Sequence, residues 1–203
     1  MSLPKQTKRE VQKASTRQKI IDTAYVIYGK NGFTATTSMI AKEAGISHGS
    51  LFLHFPTLND LLLCLIYDFS ARIGQQLHYL SESQRSVENL LRDHLKILIE
   101  YESFYTSIIA DIHRLPDEIR NIWGTIQATT AFHFNKVIEY EKEKGTIKNI
   151  PVHMIFNTWM GLIHYYLLNK DFFSKENESV LVRYENELVQ SFLEFLLIKA
   201  GEG

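Results

Sequence analysis

Between Thr37 and Phe55 the chain carries a run of small polar and imidazole side chains, Thr37, Ser38, Lys42, Ser47, His48, Ser50 and His54, spaced among apolar residues and two glycines, Gly45 and Gly49. Hydroxyls and imidazoles both donate and accept hydrogen bonds and the lysine adds a cation, so the set suits recognition of a polyanion. It does not suit metal or nucleophilic chemistry. The sequence has no His-x-x-x-His, His-Glu-x-x-His or Cys-x-x-Cys pattern and no glycine-rich phosphate loop. No catalytic residue, metal or cofactor is therefore expected.

The elements that must position this run are helices. Ser15 and Gln18 form a capping-box pattern, and Ile20, Ala24, Ile27 and Tyr28 then recur at helical spacing until Gly32. Thr36 or Thr37 can cap a second, short helix through Ala44, and Gly45 supplies the left-handed residue that stops it. Ser47 can cap a third helix reaching about Phe55, before Pro56. Ala41 is small where the second and third helices approach, and Ile40, Ala44, Ile46 and Leu51 face their shared core. Ser47, His48, Ser50, Leu53 and His54 are then left for the outward side of a helix that can enter a major groove. The competing reading packs His54 beside Phe55 and Leu53 into the core.

Charge is divided along the chain in the same sense. Residues 1–57 hold eight basic side chains (Lys5, Lys8, Arg9, Lys13, Arg17, Lys19, Lys30, Lys42) against three acidic ones (Glu10, Asp22, Glu43), a net +5 in a chain whose total is −1. A basic head on an acidic body puts the polyanion at the head. The single cysteine, Cys64, excludes an intramolecular disulfide and fits a reducing cytoplasm. No run approaches the roughly 18 apolar residues of a membrane span, and MSLPKQTKRE lacks a signal-peptide core, so a cytoplasmic protein with no membrane contact is expected.

From Asn59 the pattern changes to long amphipathic helices, with starts near Ser86, at Pro116 and at Pro151, weaker order around Asp111 to Leu115, and a stop at Gly145. The expected fold is all-α: a basic leader and a three-helix helix-turn-helix domain over 1–57, then a bundle of about five to six helices over 58–203. The helices at about 151–168 and 178–200 carry broad apolar faces, with Gly161 allowing close approach, and suit a four-helix homodimer contact; the alternative is that they only complete the monomer core. Tyr101, Phe104, Tyr105, His113, Trp123, Phe132, His133, Phe156, Trp159 and His164 interleave aromatic and imidazole groups in a manner that suits an apolar ligand oriented by a few polar contacts.

Residues 17–62 resemble the N-terminal domain of the tetracycline-repressor (TetR) family. The resemblance is carried by Ile20, Ala24, Gly32-Phe33, Thr36-Thr37, Ile40-Ala41, Ala44-Gly45, Ile46-Ser47, Gly49, Leu51 and His54-Phe55. It implies a regulator that binds a roughly palindromic double-stranded DNA operator as a homodimer and answers to a small-molecule effector. Thr37 would hold a phosphate, while Ser38, His48, Ser50 and Leu53 would approach base edges; Lys42, Ser47, Gly49 and His54 complete the expected DNA-facing set. Two positions depart from the family pattern, Phe52 where Tyr is common and Leu58 where Lys is common, and the Gly32–Ile40 connection is one residue shorter than the commonest form. Phosphate grip would then rest more on Lys5 to Lys19, on Lys42 and on main-chain amides. A protein-interaction scaffold with a similar trihelical unit is the rival reading, and salt dependence separates the two.

Overall fold

A computed structural model describes residues 7–82, 86–175 and 178–198. Among these the only extended pairing is an isolated antiparallel bridge between Ile147 and Leu197; the rest of the regular structure is helical.

Helix α1 (Lys8–Asn31) begins earlier than Ser15 and Gln18 suggest. Thr7 and Glu10 hold the same reciprocal pattern: the Thr7 hydroxyl accepts the Glu10 N–H at 3.3 Å, and the Glu10 carboxylate accepts the Thr7 N–H at 2.7 Å. Two amides are thereby satisfied about two turns upstream, and Ser15 becomes an ordinary exposed helical residue. Lys5 lies outside the described residues. Gly32 takes φ 65°, which a side chain would strain, and a 3-10 turn (Gly32–Thr34) leads to α2 (Thr37–Glu43).

Thr36, not Thr37, caps α2 by accepting the Met39 N–H, and Ser47 caps α3 (His48–His54) by accepting the Ser50 N–H at 3.1 Å. Between them Gly45 turns the chain at φ 64°. Ile40, Ala44 and Leu51 are wholly buried, so the short pair is held by its shared apolar seam.

The body contains α4 (Leu58–Glu82), α5 (Val87–Glu100), α6 (Glu102–Asp111), α7 (Asp117–Glu143), α8 (Val152–Leu168), a one-turn α9 (Lys170–Phe173) and α10 (Val180–Leu196). Pro116 and Pro151 stand immediately before α7 and α8, and Gly145 ends α7 at φ 68°. Asp111 to Leu115, expected to be weakly ordered, closes in a second 3-10 turn (Ile112–Arg114). The last helix is shorter than the expected 178–200: Ser179 caps it at Val182, and Leu196 ends it. Residues 199–203 lie outside the described residues.

Apolar burial is continuous from Ile20 on α1 to Leu196 on α10, with Trp159 the largest fully buried side chain. Among the described residues no single helix is long and apolar enough to cross a membrane. The α3 segment and the first part of α4 have the composition together but bend by 59°. Leu51, Leu61, Leu65 and Ile66 of that pair are fully buried in the protein core.

Candidate nucleic-acid interface

The second and third helices differ sharply between their faces. Leu51 is wholly buried under α2 while Leu53, two residues on, is 80% exposed, so Leu53 is not core. Ser47, His48 and Gly49 are exposed and Ser50 is half-buried at the start of α3. A Cβ at Gly49 would meet nothing within 4 Å, so no neighbour in the chain requires a glycine there. On α2, Ser38 and Lys42 are exposed and Thr37 is half-buried. The Thr37 hydroxyl lies 3.0 Å from His48 Nε2, tying the starts of α2 and α3 together, and the His48 ring stands edge-on to Phe52 at 4.8 Å. Phe52 thus supports the imidazole from behind.

His54 is turned toward α1 and is only partly exposed. Its ring is half-buried toward α1, and Nδ1 is buried with no hydrogen-bond partner. Desolvation, reinforced by Lys13 and Arg17, holds its pKa below the ordinary histidine value and favours the neutral ring. His54 thus lies half-buried on the side of α3 that faces α1. Arg17 is itself engaged, stacking over Phe55 at 4.9 Å and reaching Cys64 Sγ at 3.0 Å.

The basic segment upstream of Ser15 is helical from Lys8 onward. The first turns of α1 present Lys8, Arg9, Gln12, Lys13 and Thr16 to a groove of about 740 Å³ whose other wall is Leu53 and His54. The signal was available in Thr7 and Glu10, but no apolar periodicity accompanies it before Ile20.

The interleaved aromatic and imidazole residues of the body do not surround one space. Tyr101 and Phe104 pack with Tyr25 of α1 and Phe69 of α4, at the junction of the two parts. Tyr105 contacts the Trp123 ring at 5.4 Å, and its hydroxyl lies 2.8 Å from His164 Nε2. Trp159 donates from Nε1 to His94 Nδ1 at 3.1 Å, and His94 stands edge-on to Phe134, which meets Phe156. His133 is buried beside the exposed Phe132, while His113 is exposed. Burial pushes His94 down to about 3 and lowers His164, so both rings are neutral. Of these candidates, Phe132 and Phe156 line an open groove of about 530 Å³ between α7 and α8, with Ala128, Ala131 and Val152. Its polar rim is Gln127, Asn135, His153 and Asn157. Among the described residues no group of three or more His, Cys, Asp or Glu side chains is arranged to hold a metal ion.

Two short capped helices crossing through a small-residue contact, with one face of the second left open and a helical body behind, define a helix-turn-helix protein. Residues 20–65 match the family described as bacterial regulatory proteins, tetR family. This stretch runs from within α1 through α2 and α3 into the first part of α4. It is 30% identical over 105 residues to the fatty acid metabolism regulator protein of Bacillus subtilis (strain 168), a match covering 51% of this chain and 50% of that protein. The chain thus spans about half the length of this curated relative. In fold it is similar to the fatty acid degradation regulator FadR from Bacillus halodurans, with TM-score 0.68, 20% identity, and coverage of 94% of this chain and 97% of that one. It is also similar to FadR from Bacillus subtilis in complex with stearoyl-CoA, with TM-score 0.66, 18% identity, and coverage of 87% and 97%.

Proposed function

We propose that this chain is a non-catalytic, cytoplasmic transcriptional repressor that binds a roughly palindromic DNA operator as a homodimer and releases it on binding a lipophilic small molecule. Residues 1–57 act as the DNA-binding part and 58–203 as the sensing and dimerising part. The observation that carries this reading is the open face of α3, where Ser47, His48 and the 80% exposed Leu53 stand on a helix whose opposite face is locked into the core. A helix so presented fits the major groove and offers both hydrogen bonds and an apolar contact for a thymine methyl group. Thr37, Ser38, Lys42, Gly49 and Ser50 flank it. His54 acts from behind, through its packing.

An apolar stripe on α8 supports dimerisation. Met154, Thr158, Gly161, Tyr165 and Leu168 are all exposed and follow one another at alternating intervals of about four and three residues, the spacing of a helix-pairing seam. A Cβ at Gly161 would meet nothing within 4 Å in the monomer, which leaves room for a second backbone. Phe195 of α10, 43% exposed, extends the same apolar character. The largely apolar groove between α7 and α8 supports a lipophilic effector.

The test is DNA binding across a salt series, on sites selected from a random duplex pool. About six neutralised phosphates per dimer predict a slope of log K against log[salt] near −5. A flat dependence, or no enriched site, refutes the reading and favours a protein-interaction scaffold.

A further inference from the structure

Helix α6 is bonded at both ends and in its middle to elements that belong to different parts of the molecule. At its C-terminal end the Asp111 carboxylate accepts the Phe33 N–H at 3.2 Å, holding the 3-10 turn that follows α1. At its N-terminal end Glu102 caps α10: Oε1 accepts the Val180 N–H at 3.0 Å, and Oε2 accepts the Leu181 N–H at 3.3 Å and the Ser179 hydroxyl. Between these, the Tyr105 hydroxyl meets His164 of α8 at 2.8 Å.

The crossing with α1 is close enough to crowd any side chain at Gly29. A Cβ on Gly29 would lie 3.0 Å from Ser103 Cβ and 3.2 Å from the Phe104 backbone nitrogen. The Ser107 hydroxyl also reaches the Gly29 carbonyl at 3.4 Å. The helix carrying the N-terminal unit therefore rests backbone against backbone on α6.

Asp111 is placed against the electrostatics of its own helix. A carboxylate in a last turn faces the partial negative charge of the unpaired carbonyls there. Its compensation comes from outside α6, from Phe33 N–H and from Arg114 at 3.5 Å. Glu102, by contrast, sits at the favourable end of α6 and also at the positive end of α10. A rod of about 15 Å thus has a carboxylate at each tip, one holding the turn before α2 and the other holding the start of α10.

We infer that Glu102 and Asp111 are positioning residues that set the spacing between the two recognition helices of the dimer, and so the half-site spacing of the DNA it accepts. This rests on the DNA-binding, dimeric reading above. In that reading α3 moves with α1, and α8 and α10 form the contact between subunits. Both sides are hydrogen-bonded to α6, so any shift of α6 changes the distance between the two α3 helices. One base pair of spacing is about 3.4 Å along the duplex, so a few ångströms of play at either tip of α6 is enough to blur the choice.

The test uses the full chain on duplexes that carry identical selected half-sites and spacers lengthened or shortened by one and two base pairs. The wild type is expected to show one optimum, at least tenfold tighter than its neighbours. Asp111→Ala is expected to weaken binding about tenfold at the optimum and less than twofold elsewhere, flattening the profile. Asp111→Asn retains a carbonyl acceptor and is expected to restore most of the peak. Glu102→Ala is expected to flatten the profile similarly, and Glu102→Gln to rescue it, which gives an independent arm if either alanine variant fails to fold. Alanine variants that keep the wild-type profile, or that lose the same factor on every spacer, overturn this inference alone. A wild-type chain with no spacing optimum overturns the dimeric DNA-binding reading together with it.

Discussion

Histidine serves opposite ends in the two parts of this chain. On α3, His48 is exposed, bridged only to Thr37 at its base and backed by Phe52. In the body, His94 is 3% exposed, accepts the indole N–H of Trp159 and is walled by Phe134. The first arrangement leaves hydrogen-bonding capacity directed at solvent, available to a partner. The second uses it internally to fix the packing of large side chains. The same residue type is thus a recognition group where the helix has one free face and a structural group where the helix is surrounded. Serine divides in the same way: Ser47 stands exposed at the start of α3, while the Ser107 hydroxyl is turned into the α1–α6 crossing.

The strongest way to break this contrast is at its buried pole. Trp159→Ala removes a fully buried ring and leaves His94 Nδ1 without its donor. A loss of about 3–5 kcal/mol is expected for a truncation of this size, measured by urea unfolding. Leu53→Ala, at the exposed pole, is expected to change stability by less than about 0.5 kcal/mol. Equal losses at the two sites would mean that Leu53 is packed after all.

The next effect concerns function. His48→Glu combined with Leu53→Glu places two carboxylates on the open face of α3, directed at the phosphate-rich groove. DNA affinity is expected to fall at least about 30-fold, roughly 2 kcal/mol, with an unchanged urea midpoint. Retained affinity would move the recognition surface away from α3.

These two poles were not equally legible in the sequence. The boundaries of α2 and α3 could be read because they are set locally, by Thr36 and Ser47 hydroxyls three residues from the amides they accept and by Gly45 at positive φ. Leu51 and Ile40 then fixed which face of α3 is free. The start of α1 was missed because two capping patterns lie eight residues apart in sequence, and the apolar stripe begins only after the second. The direction of His54 depends on α1 packing beside it, which no local pattern encodes. In the body, Trp159 and His94 are 65 residues apart, and Tyr105 and His164 are 59 apart. An alternation of aromatic and imidazole residues cannot distinguish such internal pairs from the lining of a cavity. The single turn of α9 carried no signal beyond a short apolar pair.

The contrast can be sharpened by pH. His94 has its pKa lowered to about 3 in the folded chain, against 6.5 for an ordinary histidine. Between those values the unfolded chain binds a proton that the native chain does not, so stability is fully present above the unfolded pKa and declines as pH falls through the window. His94 alone is expected to make the protein about 1.4 kcal/mol less stable at about pH 5.5 than at about pH 7.5, and His164, lowered in the same direction, adds to it. In a His94→Gln variant that retains an acceptor for Trp159, the His94 share of this dependence should vanish. An undiminished pH slope in that variant would place the sensitivity elsewhere.

The smallest effect tests whether Ser47 belongs to the structural or the recognition class. Its hydroxyl accepts the Ser50 N–H at 3.1 Å, yet the residue is exposed and stands beside the face proposed to meet DNA. Removing a serine cap typically costs about 1 kcal/mol, whereas glycine at the same position costs only a few tenths, because it lets water reach the freed amide. Ser47→Ala should therefore lower stability by about 1 kcal/mol and Ser47→Gly by much less. If capping is its only role, DNA affinity measured where both variants are fully folded should be nearly unchanged for Ser47→Gly. If the hydroxyl also meets a phosphate or a base, both variants should lose the same DNA affinity despite their different stabilities, because both lack the same oxygen.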